Sequence, residues 1–586
     1  IFPNVFSEGT IDFDILKETL GNFSNSSNEK YSFSWAGRAK SIKNMQTPTH
    51  GTLIPQKDES INFEDTENIF IEGENLEVLK LLQKSYTGKV KMIYIDPPYN
   101  TGNDFIYKDD FKSNLESYLE QTEQSEDGIK LTTNTETSGR FHSDWMSFIF
   151  SRISVAYQLL KHDGVIFVSI DYHELSTLKT ILDNIFGEEN FISLISIKRS
   201  AATGHKAINP GPVNVTEFLL AYAKNKNLWN YSATFVAKNI YDKNYKFFIE
   251  NKNSSYENWK FVNLSEKLCD VLELKNPKDA KKKLGCEFDK KYEQFAFKHS
   301  DSVCRFALPN YSGISKDARK LVDLSKKDEK IHLLKREGLS DMYFYRGNRI
   351  LFLSNKIRTI DGKESLSEPL TDFWDDVPWQ GIANEGGIVF KKGKKPEKLI
   401  RRLIQMNCKP NDIIMDFFSG SGTTGDVVLQ QNVETIPNLK FILIQIPELI
   451  SEKYDNYDNL KIKHIADLTK TRLKNSIKKI SEATKNHNLG FKVFKLAKSN
   501  YKVWQDVSNE VKLKEQLKLF EDPLVENYKD IDVIYEIIIK EGYSLNSKIE
   551  IFQEKPNKIY KIIDGEFFFY VTLDKTLDEK AVQNLN

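Results

Sequence analysis

Two hydrophobic periods alternate along the first part of the chain. TENIFIEGENLEVLKLLQKSY reads as an apolar strand, a turn and a helix, and KVKMIYIDPPY as the next strand. HSDWMSFIFSRISVAYQLL is apolar at helical spacing, and HDGVIFVSID is a turn into a buried strand. STLKTILDNIFG is an amphipathic helix, and FISLISIKR and EFLLAYAKN read as further strands. Alternating strands and helices predict a doubly wound α/β sheet. The pattern breaks between 226 and 345, where YDKNYKFFIENKNSSYENWKF is rich in Asn, Lys and aromatics. NPKDAKKKLG and ISKDARKLVDLSKKDEKIHLLKREG are basic helical stretches, so this region reads as an insert with a separate task. The α/β pattern returns with the helix KKPEKLIRRLIQM, the strand NDIIMDFF, a glycine turn, the strand FILIQI and the basic helix IKHIADLTKTRLKNSIKKI.

The organisation expected from this pattern has five parts. An N-terminal segment, 1–60, carries a Ser/Asn-rich patch. Residues 61–225 form the first half of the α/β core, 226–345 the insert and 346–488 the second half. A small α+β domain, 489–586, ends in strands such as KIYKII and EFFFYVTL and suits packing or subunit contact. Residues 108–140 are polar and acidic and read as a long loop. No internal repeat is visible.

Composition narrows the class. A chain of 586 residues with 40% hydrophobic positions has room for more than one domain with its own core. Lys+Arg and Asp+Glu stand at 83 each, so no global charge announces a nucleic-acid partner, although a local basic groove is compatible with neutrality. The cysteines, Cys269, Cys286, Cys304 and Cys408, form no CxxC pair and read as reduced thiols, with no zinc site and no disulfide framework. No apolar run is long enough to span a bilayer, and the N-terminus lacks the layout of a signal peptide. A soluble cytoplasmic protein is expected, with a native chain that begins upstream of a first residue that is not Met.

Two stretches carry chemistry. In DPPYNTGNDF, Pro97 and Pro98 cannot donate to a sheet ladder, so the strand KVKMIYI must stop there. The stiff corner holds Asp96 and Tyr99 at the carboxyl end of a strand, where α/β sheets bind ligands. In DFFSGSGTTG, a buried strand ending at Asp416 runs through Phe417 and Ser419 into Gly420, Ser421 and Gly422, and Thr423 and Thr424 open a helix. The glycines let a ligand approach the backbone, and the helix start offers donors. The GxxxxGK[ST] pattern of a P-loop is absent. Taken alone, the glycine loop is as readily a purely structural turn.

Together, DPPY and DFFSGSGTT resemble the catalytic and cofactor motifs of the amino-methyltransferases that methylate DNA bases with S-adenosylmethionine. Their order, with the catalytic motif first and the insert between, resembles the β class of that family. IFIEGENLEVLKLLQKSYTGKVKMIYIDPPYNTGNDFIYKDDF, NTETSGRFHSDW, DFWDDVPWQGIANEGG, KKPEKLI, FILIQIPE and GFKVFKLAKSNYKVW resemble the modification (Mod) subunits of type III restriction–modification systems. The resemblance implies a Rossmann-like methyltransferase sheet with permuted motif order, an inserted target-recognition domain and a small α+β C-terminal domain. It implies double-stranded DNA as substrate, a Mod homodimer and a separate helicase–nuclease (Res) partner; because the methyl group sits on a sulfonium, no metal is needed, and no membrane partner is expected.

The resemblance assigns roles to residues. The exocyclic amine of adenine is a poor nucleophile because its lone pair is delocalised into the ring. A carboxylate from Asp96 and the carbonyl of Pro97 would localise that pair, with Pro98 stiffening the corner. Tyr99 offers a face on which an extruded base stacks. Phe417 would flank the cofactor, and the loop from Gly420 to Gly422, with Thr423 and Thr424, would approach its amino-acid moiety. Where relatives place an acid on the ribose, FILIQIPE offers Gln445 or Glu448. Lys395 and Pro396 would line the same pocket.

Less specific signals read more plainly. His173-Glu174 lacks a second His at i+4, so a solvated helix start is expected there. His142 and Asp144 are candidates for a cofactor contact, but a helix cap by Ser143 or Asp144 fits the stretch FHSDW at least as well. Lys281 to Lys283 and Lys326-Lys327 are expected to be solvated faces. Two rival functions share these motifs: N4 methylation of cytosine, and a DNA-specificity subunit whose methylation is vestigial.

Overall fold

The computed structural model describes residues 33–101, 141–201, 211–450 (save 239, 361, 380 and 390–392), 462–502 (save 486–488) and 522–583 (save 555–556), with 6–7, 10–11, 16, 105–106, 132–133 and 520. The long loop expected at 108–140 lies outside the described residues except at 132–133, and the Ser/Asn-rich N-terminal patch lies outside them entirely. The chain divides into two compact units. One comprises Ile1–Ser232 with Thr371–Asn586, and the other is Ala233–Leu370.

In the first unit, ten strands among the described residues form one sheet. They are β1 (Gly51–Pro55), β2 (Ile69–Glu72), β3 (Val90–Ile95), β4 (Leu160–Ile170), β5 (Phe191–Lys198), β6 (Thr216–Ala223), β7 (Phe373–Trp374), β8 (Ile413–Asp416), β9 (Lys440–Gln445) and β10 (Lys492–Lys498). Their spatial order is β7-β5-β6-β4-β3-β8-β9-β2-β10-β1. The six strands from β4 to β10 run parallel. β6 runs antiparallel to β4 and β5, and β1 runs antiparallel to β10. β3 and β8 are neighbours, with Met415 opposite Ile93. The connection from β3 leads to β4 on one side and that from β8 to β9 on the other. Such a reversal opens a crevice at the carboxyl ends of the two strands.

The sequences explain the layers. β3 is buried at every position, and β9 at all but its first, because helices cover both faces of a parallel sheet. The helices that position the site are α1 (Asn75–Tyr86), α2 (Phe141–Leu159), α3 (Leu175–Phe186), α4 (Glu397–Asn407), α5 (Thr423–Glu434), α6 (Ile465–Thr484) and α7 (Asp530–Glu541). α2 buries Trp145, Phe148, Ile149 and Ile153 in the main core. Gly425 lets α5 approach the sheet, since a Cβ there would stand 2.7 Å from Leu443 Cδ1 and 2.8 Å from Leu473 Cδ2.

The boundary drawn at 489 falls just before β10, which belongs to the main sheet. β10 lies between β2 and β1 and sends Phe494 and Leu496 into the main core. Beyond it, α7 joins the main core through Ile534, Ile538 and Ile539, and three antiparallel strands (Lys548–Glu554, Asn557–Asp564, Phe567–Thr572) form a small sheet.

The second unit holds a six-stranded antiparallel sheet whose partly buried side chains include Phe247, Phe261, Phe306 and Tyr345. It also takes in the strands between 357 and 369 that the pattern had placed with the returning core. The unit's two ends lie side by side, with Phe235 opposite Pro369.

A buried cation ties the first helices to the glycine loop. Arg152 donates to Glu74 Oε1 (2.6 Å), Asn75 Oδ1 (2.5 Å) and the Phe148 carbonyl (2.8 Å). Asn75 in turn donates to the Phe417 carbonyl at 3.0 Å. Arg152→Met should strand a buried Glu74 carboxylate and lower unfolding free energy by about 3–5 kcal/mol, read from urea midpoints.

Candidate active site

Asp96 follows β3 directly, and the double proline ends the strand as its chemistry requires. Trp145 Nε1 donates to the Pro98 carbonyl at 2.8 Å. Asn100 closes the corner with φ +60°, a conformation Asn tolerates, and donates to Glu174 Oε1 at 2.6 Å. His142 Nδ1 lies 2.6 Å from the same Glu174 oxygen. Glu174 is therefore wholly buried and braces the corner, unlike the solvated helix start expected there. Ser143 and Asp144 lie inside α2, which begins at Phe141, so neither caps it.

Around Asp96 the structure assembles a charge cluster. The Tyr99 hydroxyl lies 2.8 Å from Asp96 Oδ1 and 2.6 Å from Glu217 Oε1, and its single proton serves one acid at a time. Lys395 Nζ donates to the Tyr99 oxygen at 2.6 Å, stands 3.1 Å from Asp96 Oδ1 and touches Glu217 Oε1. Arg199 Nη1 stands 3.8 Å from Glu217 Oε2. Burial raises the Asp96 carboxyl above its ordinary range against the pull of Lys395, and Glu217 adds to the rise. Burial works against the Lys395 ammonium, yet Asp96 and Glu217 together hold it above the ordinary lysine value. Burial also pushes the Tyr99 phenol well up, with both acids adding. These side chains line a cavity of about 650 Å³ with Pro97, Thr101 and Trp379.

The glycine loop folds at the neighbouring strand end. Gly420 and Gly422 have φ of +50° and +78°, which favours glycine at both positions. A Cβ on Gly422 would also stand 2.8 Å from Thr469 Cγ2. Thr469 Oγ1 donates to the Gly420 carbonyl at 2.6 Å, and the Gly420 N–H donates to Gln445 Oε1 at 2.7 Å. Behind the loop, the wholly buried Arg472 donates to Asp426 Oδ2 (2.7 Å), Thr423 Oγ1 (2.8 Å) and Glu397 Oε1 (2.9 Å). Asp416 accepts from Thr424 Oγ1 at 2.6 Å and from the Phe418 N–H at 3.1 Å. Burial nonetheless pushes its carboxyl up to about 7, with Asp96 contributing.

Two polar side chains at this edge lack a partner among the described residues. Ser419 Oγ is buried without a partner. Glu448 makes no side-chain hydrogen bond or ion pair there, and burial raises its carboxyl. Gln445, by contrast, has its carbonyl committed to Gly420 and its amide to the Ile446 carbonyl (3.1 Å). A cradle of backbone and unsatisfied oxygens beside a desolvated acid suits a polar ligand with an ammonium and hydroxyls.

Lys395 is the physical link between the two motifs. Its carbonyl accepts from Thr423 Oγ1 at 3.3 Å, and its ammonium reaches Asp96. Pro396 sets the extended step before α4. Sequence reasoning passed over Glu217, Arg199 and Trp379. The one signal for Glu217 is an acid at the second position of an otherwise apolar strand. Because β6 is antiparallel to β4, that early position reaches the crevice edge. Of the lysine runs in the second unit, Lys283 and Lys326 face acids of their own helices, and Lys281, Lys282 and Lys327 are solvated.

Residues 90–456 match the N6/N4 DNA methylase family. The chain is 29% identical to the EcoP15I type III restriction–modification Mod subunit of Escherichia coli, over 80% of this chain and 72% of that protein. It is 28% identical to the EcoPI Mod subunit of Escherichia phage P1, over 80% and 71%. It is 26% identical to the type II methyltransferase M.KpnI of Klebsiella pneumoniae, over 68% and 85%.

The raised Asp416 carboxyl sets a pH dependence. Between its ordinary value of 3.8 and about 7, the folded chain keeps a proton that the unfolded chain has lost. This group's contribution to stability is full below the lower value and is lost as pH rises through the window. Asp416→Asn should therefore gain stability relative to wild type from about pH 4 to about pH 7, measured as the difference in urea midpoints.

Proposed function

Because the chain belongs to the DNA methylase family matched over residues 90–456, we propose that it methylates the N6 amine of adenine in double-stranded DNA, as the Mod subunit of a type III restriction–modification system. The observation that carries this reading is the parallel pairing of β3 with β8, which sets the acid of a stiff strand end and a glycine-rich ligand cradle at one edge of the sheet.

S-adenosylmethionine, when bound, supplies a methyl group made electrophilic by its sulfonium. The loop from Ser419 to Gly422 fits its amino-acid end, through backbone groups at two positive-φ glycines and the partnerless Ser419 hydroxyl. Asp416 and Phe417 end the strand that carries the loop, Ser421 lies within it, and Thr423 and Thr424 open the helix behind it. Glu448, unpartnered among the described residues, suits the ribose hydroxyls better than Gln445, whose carbonyl holds the loop. This reading resolves the choice between the two in favour of the acid.

At the other strand end, the Asp96 carboxylate accepts an N–H of the base amine and localises its lone pair. The Pro97 carbonyl takes the second N–H; Trp145 occupies the Pro98 carbonyl, and the Pro97 carbonyl has no such partner among the described residues. Tyr99 offers its ring to the extruded base. Once nitrogen carries the methyl group it sheds a proton, and Asp96 is the nearest base. A carboxyl raised by burial takes that proton more readily than an ordinary one. Fixed acceptors at the point where charge develops do the catalytic work.

Residues 233–370, the second compact unit, are the target-recognition domain in this reading. A second Mod chain and a Res helicase–nuclease are the partners proposed.

Nucleoside mass spectrometry after incubation with S-adenosylmethionine and DNA should find N6-methyladenine; N4-methylcytosine would overturn the choice of base. Asp96→Ala should lower kcat at least about a hundredfold while cofactor affinity by calorimetry changes less than about threefold. Replacing residues 233–370 with those of a relative should transfer the methylated motif, read by modification-sensitive sequencing. A folded, active chimera that still marks the original motif would place recognition elsewhere.

A further inference from the structure

We propose that Glu217 is a positioning residue that draws Lys395 away from Asp96 as the base amine enters. The inference rests on the methyltransferase reading and concerns a residue to which that reading gives no part.

One oxygen of the carboxylate that should accept the amine is already taken. Asp96 Oδ1 has the Tyr99 hydroxyl at 2.8 Å and the Lys395 ammonium at 3.1 Å. An ammonium there competes for the lone pairs that must localise the amine's own. A buried lysine whose sole anionic partner was Asp96 could not leave without stranding its charge, which is strongly unfavourable in a desolvated site. Glu217 removes that obstacle. Its Oε1 already touches Lys395 Nζ, so the ammonium can shift fully onto Glu217 without losing a carboxylate contact.

The surroundings define that short path. Glu217 is wholly enclosed, 2% exposed, and held in register opposite Ile197. Arg199 Nη1, 3.8 Å from Oε2, balances its outer oxygen. The Tyr99 hydroxyl lies between the acids and can turn its proton from Asp96 to Glu217 in the same movement. The Tyr99 and Trp379 rings, with centroids 5.0 and 5.3 Å from Nζ, keep the ammonium in the cluster. A second carboxylate beside a buried Asp96 raises the cost of ionising both, which the Lys395 and Arg199 cations offset.

The test is a mutant cycle on the full chain, reading kcat for methyl transfer to DNA. Glu217→Gln leaves Lys395 with Asp96 as its carboxylate partner and should lower kcat at least about tenfold, with S-adenosylmethionine affinity by calorimetry unchanged. Adding Lys395→Met should then raise kcat at least about threefold over the single variant, because the competing ammonium is gone. A purely structural role for Glu217 predicts that the second change deepens the loss. The proposal is overturned if Glu217→Gln turns over like wild type, or if the double variant is no faster than the single. Should Glu217→Gln fail to fold, Glu217→Asp takes its place: the shorter acid reaches Lys395 less well, and Lys395→Met must again speed it. Methyl transfer by the wild-type chain tests the proposed function, and the ratios between variants test Glu217.

Discussion

The parallel pairing of β3 with β8 is the constraint on which the site depends. One strand delivers Asp96 and the other the glycine loop, and neither segment alone makes a crevice. Setting Met415 opposite Ile93 places both carboxyl ends at one edge, where the connections diverge. The acid-bearing corner is rigid through its prolines and through Glu174, and the loop is rigid through Thr469, Gln445 and Arg472. A displacement of either strand along the other would separate Lys395 from one of its two attachments.

Charges in this unit fall into two kinds. Arg152 and Arg472 are saturated by several fixed acceptors each, and they define the framework. At Asp96 one lysine is instead divided between two acids, with a phenol between them. Saturated networks resist change because every alternative leaves a buried group unpaired. A divided ion can move at little cost, which suits a place that must accept a substrate amine and later part with a product.

Much of this was legible in the sequence, and the gaps have physical causes. Period-2 and period-3.6 patterns marked the strands and helices because burial enforces them, and Pro97-Pro98 and Gly420/Gly422 advertise backbone geometry that few other residues adopt. Adjacency was harder. DPPY and the glycine loop are distant in the chain, and only their joint resemblance to known motifs suggested that they meet. Glu217 left almost no trace, since its importance comes from the antiparallel turn of β6. Glu174 looked solvated because a helix-start acid usually is; only its contacts with Asn100 and His142 reveal the burial. β10 read as part of a tail because sheet membership is decided by pairing with β2, which local sequence does not record.

The side-by-side ends of the second unit have a consequence for how the chain reaches its fold. β3 is synthesised long before β8, so it waits with an unpaired edge while the intervening chain emerges, a state open to misassociation. The entropic cost of closing a loop rises with its length. Residues 233–370 cut that cost if they fold first. Phe235 pairs with Pro369, and the Leu370 N–H donates to the Thr234 carbonyl at 3.0 Å, so a completed insert presents the core with a junction hardly longer than a hairpin turn. The order of synthesis thus favours maturation of the insert first and closure of the catalytic sheet last, and the crevice between Asp96 and Gly420 comes into being only at that final step.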